Sequence, residues 1–531
     1  MSSSCRRLWF FWLLATAATY ATALAVLPSP AAAQDTAASR PRIDTVIVVT
    51  HDVFDQREAE GNLIFAVANA LRFKTRPEIV RRELLFSAGD FYDPDRIAES
   101  ERNLRRMGIF RDVTIDSFRI EGRLAVRVET RDGWSTQLRL NGRSTGDEFT
   151  WSAGLFERNF LGTATLVGAS YRDDPDRTAL TLRARIDRLL GTRALVDGSY
   201  DDRSDGEIAQ WVVGVPFRAF QDRRGFELWG EAGTHRVLRF RDGSLADSLE
   251  RRALVHRLVL AAAPYTGGRG YLRVGLAAQF KRETYTAFAR APEDSSSGAV
   301  GLGLEWLQAR FLVVTHYNGF AREEDLDLST RGRFLLWVAP SAFGYPEFGI
   351  GPGLEFQTGA VLGPGFAKLQ LRANALLTER EIDSARVWAG VTLGARSLGR
   401  QATVFHLEAA AQRGLPPGSE IDLGHGVGPR AFGSHAFTGD RSVWATLEHR
   451  WFAWDEVVGL LGVGFAAFFD YGGAWYGDQP ARLGGNVGLG LRLGATRATG
   501  SNVGRIDLAY RFGQGWSGGR WVVSVGRSYT F

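Results

Sequence analysis

Apolar residues alternate with small or polar ones along most of this chain. In Thr178–Ile186 one parity holds Leu180, Leu182, Ala184 and Ile186, and the other holds Thr181, Arg183 and Arg185. Val487–Gly494 sets Val487, Leu489, Leu491 and Leu493 against Gly488, Gly490 and Arg492. Arg505–Phe512 sets Ile506, Leu508, Tyr510 and Phe512 against Arg505, Asp507 and Arg511. A strand sends successive side chains to opposite faces, so this period of two predicts strands with one apolar and one polar face. From 134 to 531 it predicts about 16 to 21 strands, with Asn141-Gly142, Asp197-Gly198, Asp205-Gly206 and Asp242-Gly243 as hairpin turns. The longer loops are expected at His235–Arg252, Ala287–Gly298 and Arg413–Asp440. A soluble sandwich would also alternate. However, arginine and aspartate recur on the polar face of segment after segment, and in hydrocarbon each arginine would cost roughly 2–4 kcal/mol. The expected fold is therefore mainly β: a transmembrane antiparallel barrel with a hydrated lumen.

The pattern differs before residue 134. Ile43–Thr50 is a β-branched run and reads as a strand. Thr75-Arg76-Pro77-Glu78 reads as a capping box opening a helix that runs to about Phe86. Asp93-Pro94 opens a second helix, with Ile97 and Leu104 on one face and Gly108 as its stop. Two alternating strands follow, Asp112–Phe118 and Arg123–Thr130. The order is β-α-α-β-β, a small α+β domain over 42–131.

Composition sharpens this picture. Arg6 and Arg7 precede the apolar run Leu8–Leu27, then Pro28, Pro30 and the small site Ala31-Ala32-Ala33. That order predicts a secretory signal peptide over 1–33, followed by a linker at 34–41. The run is also long enough for an uncleaved anchor. Cys5 is the single cysteine and lies inside the signal, so an exported chain would carry no disulfide. The formal charge of +5 is too balanced for nucleic acid, and the basic residues are interleaved with acids. Export, no later apolar run of helix-spanning length and many alternating segments together predict a bacterial outer-membrane barrel. Aromatic residues at 12% suit two interfacial girdles.

Gly424–Asp440 is a glycine-rich loop with one central arginine, Arg430. Glu448 and Asp470 lie on the two alternating segments that follow, on the parity away from Leu447, Phe465 and Phe469. The expectation is that the loop folds into the lumen and Arg430 pairs with both acids; the alternative is an ordinary surface loop. No histidine cluster has metal spacing, and no cofactor or metal is expected. Gly-x-Ser-x-Gly occurs at Gly142–Gly146 and Gly515–Gly519, in hairpin or loop positions and not between a strand and a helix, so neither predicts a nucleophile.

Thr75–Ile115, with Ala88-Gly89-Asp90 and the helix end Asn103–Val113, resembles a POTRA domain, the polypeptide-transport-associated module. The C-terminal Ser524-x-Gly526-x-x-Tyr529-x-Phe531 resembles the β-signal of outer-membrane barrels. Arg527 falls on the apolar parity of that segment. The chain as a whole resembles the Omp85 superfamily, BamA/TamA-like assembly factors and related secretion pores. That resemblance implies a barrel of sixteen strands whose loop between the eleventh and twelfth enters the lumen with an Arg-Gly-aromatic motif. Here the motif reads Arg430-Ala431-Phe432-Gly433, with alanine in place of the usual glycine. The resemblance also implies Glu448 and Asp470 as the matching acids, and Phe156–Gly162 as the Glu-x-Asn-x-x-Gly segment. It further implies a POTRA in the periplasm and a barrel at 134–531 in the outer membrane. The partners it implies are membrane lipid, unfolded outer-membrane clients, and periplasmic chaperones or accessory lipoproteins. The function implied is insertion, assembly or translocation of β-proteins without covalent chemistry. The alternatives are a secretion pore for a partner exoprotein and a passive channel.

Overall fold

The structure is a computed structural model that describes residues 40–54, 73–145, 148–241, 243–286, 293–395, 399–424, 427–496 and 503–527. The expected signal peptide lies outside the described residues.

The N-terminal domain is β1 (Ile43–His51), α1 (Pro77–Glu83), α2 (Pro94–Arg106), β2 (Phe110–Ile120) and β3 (Arg123–Asp132). β3 lies in the middle of the sheet, parallel to β1 and antiparallel to β2. Val126 and Val128 of β3 pack with Ile43, Val80, Leu104, Ile109 and Phe110 in one core. Asp93 caps α2 by accepting from the Asp95 amide at 3.0 Å, and Pro94 takes the first turn, where no amide is needed. The capping box expected on α1 is absent. Arg76 is the N-cap and has no side-chain cap bond. The Thr75 hydroxyl is instead taken by Asn159, and the helix ends at Glu83.

From Thr136 the chain builds one closed barrel of 20 strands, each antiparallel to its neighbours. This corrects the sixteen that the resemblance implied. Counting from Thr136–Thr145, the fifteenth strand is Gln401–Arg413 and the sixteenth Arg441–Val457. The glycine-rich loop between them is followed by five strands, as in a sixteen-strand barrel, so the additional four precede it.

Two of the expected turns, Asn141-Gly142 and Asp197-Gly198, lie inside strands. Their polar side chains are held across the wall: Asn141 donates to Ser152, and Asp197 accepts from Arg183 and Arg185. Within the expected loop at 235–252, residues 235–241 and 244–252 are strand. They fall in Arg224–Arg241 and Ser244–Gly267, a hairpin that extends well past the roughly ten residues a membrane strand needs.

Outward positions are large and apolar. Leu138, Leu140, Leu302 and Leu489 are 60–68% exposed, the belt expected of a membrane-facing wall. Odd strands run away from the N-terminal domain and even strands return to it, so the domain faces the turns after even strands. The loop after the tenth strand, residues 309–329, is on that side. The glycine-rich loop is at the far side. Among the described residues no helix is long and apolar enough to cross a membrane.

Candidate functional site: a lumenal arginine lock

The glycine-rich loop turns back into the lumen and closes a short hairpin, Ile421–Leu423 with Phe437–Gly439. Phe432 and Phe437 are fully buried and pack with Trp444, Phe468, Ala509 and Val522 of the wall. Gly484 gives Phe432 its space, since a Cβ there would lie 2.8 Å from the ring. Ala431 is also fully buried and is not among the residues with positive φ, so the position that is usually glycine needs none here. Gly433 contributes backbone: its carbonyl would lie 2.0 Å from a Cβ at Gly424, whose φ is 140°.

Arg430 is 0% exposed. Its Nε and Nη2 donate to the two oxygens of Asp470 at 2.8 and 3.1 Å. Its Nη1 donates to Glu448 Oε2 at 2.7 Å, and the guanidinium lies 3.9 Å over the Phe468 ring. The Arg430 amide also donates to Asp470, as do Thr446 Oγ1 and Asn486 Nδ2. A buried, planar, bidentate pair of this kind is a position for arginine rather than lysine.

The network extends beyond these three residues. Glu448 Oε1 accepts from Arg450 at 2.9 Å and Arg492 at 3.4 Å. Arg492 donates on to Asp507 at 2.6 Å, and Arg505 pairs with the other oxygen of Asp507. Arg505 also donates to Ser524 Oγ at 3.3 Å, which brings the last strand into the same cluster. Gly526 lies against the Arg505 guanidinium; Tyr529 and Phe531 lie outside the described residues. Arg450, Arg492, Arg505 and Asp507 were not singled out from the sequence. Parity marked Arg492, Arg505 and Asp507 as inward, but read them as lining water. They are at most 5% exposed because the loop fills the lumen there.

Arg527 is outward and exposed, opposite Gly504 near the domain-side end of the wall. An arginine at that depth reaches the headgroup layer, so its position on the apolar face carries little penalty.

At the far side, His435 donates to Asp422 at 2.5 Å and Asp176 at 2.9 Å, and stacks on Phe240 at 3.4 Å. Burial alone would lower its pKa, but the two carboxylates outweigh that and hold it at about 9. A raised histidine stabilises fully below its unfolded pKa, near 6.5, and its contribution is lost as pH rises through 9. Limited proteolysis of the loop should therefore accelerate between pH 7 and 10. A His435→Gln variant should already be fast at pH 7 and flat across that range.

Residues 72–131 match the family model "POTRA: Surface antigen variable number repeat". The chain carries a POTRA domain. A stretch of 93 residues is 31% identical to outer membrane protein assembly factor BamA of Neorickettsia risticii (strain Illinois), covering 17% of this chain and 13% of that protein. Among solved structures, BamA from Haemophilus ducreyi lacking POTRA domains 1–3 aligns at 10% identity, with a TM-score of 0.39, over 91% of this chain and 83% of that one. CdiB from Escherichia coli aligns at 11% identity, with a TM-score of 0.48, over 92% and 77%. The POTRA match and the stretch shared with BamA agree with the resemblance to the Omp85 superfamily, and the rest of the described chain is a closed antiparallel β-barrel.

The POTRA domain is joined to the barrel by the Phe156–Gly162 segment. Asn159 Nδ2 donates to Thr75 Oγ1 at 2.8 Å, and its Oδ1 accepts from Ala164 N at 2.9 Å. The Arg76 amide donates to the Gly162 carbonyl at 3.2 Å. Ion pairs continue this contact around the mouth: Glu83 with Arg188, Asp95 with Arg269 at 2.9 Å, and Arg111 with Glu456 at 3.2 Å. POTRA Glu99 accepts from the Phe220 amide at 2.7 Å, and burial there pushes its carboxyl above the usual range.

Proposed function

We propose that this protein assists insertion, assembly or translocation of outer-membrane β-proteins, in the manner of BamA/TamA-type factors, with its POTRA in the periplasm. The observation that carries the reading is the seam. The last strand, Trp521–Arg527, pairs along its whole length with the strand before it. Among the described residues it registers with the first strand only at Ser524 opposite Arg143. Strand edges left open at such a seam can template a client's hydrogen bonds. The free energy comes from client folding, so the reading needs no nucleotide and no covalent step. Ser144 lies on a strand and Ser517 in a turn between strands, and neither leads into a helix. The POTRA would receive an unfolded client, delivered by chaperones or accessory lipoproteins. The domain limits 42–131 and 134–531 follow from the same reading.

The test is an Arg143→Cys/Ser524→Cys chain, oxidised to lock the seam. No other cysteine remains once the signal has gone. The locked form should fail to support outer-membrane protein assembly and recover on reduction. Full activity in the locked form would sink lateral opening. Depletion separates the alternatives: broad loss of outer-membrane proteins supports assembly, whereas loss of one exoprotein indicates a dedicated secretion pore.

A further inference from the structure

Residues 309–329 enter the lumen from the POTRA side, opposite the arginine lock. They fold as a small hairpin, Phe311–Val314 with Glu324–Asp327, whose tip carries Tyr317 and Phe320. Tyr317 is 1% exposed and Phe320 5%, packed with Phe366, Val404, Phe452 and Val503 on four different strands. Tyr317 meets Phe366 edge-on at 5.3 Å, and Phe320 meets Phe452 at 5.2 Å. The wall is shaped for this tip. A Cβ at Gly462 or Gly494 would lie 2.4 or 2.5 Å from the Phe320 ring, so any larger residue there would displace it. Glu324 accepts from the Asn318 and Gly319 amides at 3.1 and 2.7 Å, which holds the tip in shape.

This segment is tied at both ends. Arg450, the partner of Glu448, donates to the Tyr317 carbonyl at 2.8 Å and to Asn318 Oδ1 at 3.1 Å. Toward the POTRA, Arg105 of α2 grips Asp325 with two bonds of 2.8 and 3.0 Å. Arg322 donates to the Phe110 carbonyl at 2.8 Å, and Arg102 lies 4.6 Å over the Phe311 ring.

We infer that residues 309–329 are a second stopper, which closes the lumen from the POTRA side and is held shut by the docked POTRA. An undocking POTRA pulls on Asp325 and Arg322 and draws the tip from its seat, so docking and pore closure are one equilibrium. This goes beyond the proposed activity, since it holds for assembly and for secretion alike.

The experiment is conductance of the full chain in planar bilayers. The parent should be mostly closed. A chain with residues 312–326 replaced by a short Gly/Ser linker should raise mean conductance at least about tenfold, with heat-modifiable folding retained. Asp325→Arg alone should raise the open fraction severalfold, and adding Arg105→Asp should restore closure by re-forming the pair in reverse. A folded linker variant that conducts like the parent overturns the inference. So does an Asp325→Arg phenotype that Arg105→Asp leaves unchanged, and this pair decides the matter if the linker variant fails to fold.

Discussion

Arg430→Ala is expected to destabilise the barrel by about 3–5 kcal/mol, the usual effect of removing one partner from a buried charge cluster. The measurement is the temperature at which the compact band is lost on semi-native gels. The two acids would not be affected equally. Glu448 keeps Arg450 and Arg492, whereas Asp470 is left with Thr446 and Asn486 as its side-chain donors. Asp470 is then a buried charge without a cation, and neutralising it should help. Arg430→Ala/Asp470→Asn is therefore expected to unfold at a higher temperature than Arg430→Ala alone, because adjacent substitutions in one network do not add. Arg430→Lys should recover little, since an ammonium cannot span both oxygens of Asp470 and reach Glu448. The POTRA, with its own core, should stay folded in all three. A transition temperature unchanged in Arg430→Ala would remove the lock from any role in holding the barrel.

Gly162→Ala is expected to separate the POTRA from the barrel. Gly162 has φ +72°, and a Cβ there would lie 2.4 Å from the Lys74 carbonyl oxygen. Both are backbone constraints, and no side chain can move aside to relieve them. The left-handed conformation alone costs a non-glycine residue about 1–2 kcal/mol, and the clash adds to it. The bond from the Arg76 amide to Gly162 would break, and Asn159 would lose its alignment with Thr75. Tryptic release of the POTRA should quicken severalfold while the barrel's gel transition stays put. Gly142→Ala is the control: a Cβ there meets nothing within 4 Å, and no effect on either readout is expected. Equal behaviour of the two variants would show that the junction does not depend on this turn.

Much of the architecture can be read from side-chain parity. Leu489 and Arg492 are three residues apart and so face opposite sides of a strand, and the structure has one outward and the other buried. Parity also put Glu448 and Asp470 on a common face. It could not say which cations answer them, because Arg450, Arg492 and Arg505 come from different strands whose register no local pattern encodes. Alternation left the count at 16 to 21, which contains the twenty strands observed, and the sixteen came from the resemblance. A long strand and a pair of short ones carry the same alternation, so residues 235–252 resembled a loop. Asn141-Gly142 and Asp197-Gly198 have turn chemistry, yet cross-wall partners for Asn141 and Asp197 outweigh it. Thr75 is a good cap by type, but a bond across the domain junction claims its hydroxyl.

The additional four strands have a geometric consequence. Barrel diameter grows nearly in proportion to strand number, so twenty strands instead of sixteen make a ring about a quarter wider, with a cross-section about half as large again. All of the widening lies before the lock, which still leans on the final five strands. One inward loop sized for the narrower ring would leave a crescent of open area beside it. Tyr317 and Phe320 reach into the lumen from the opposite mouth, against strands thirteen to nineteen. On the inference above, that tip fills the area which the additional strands open beside the lock.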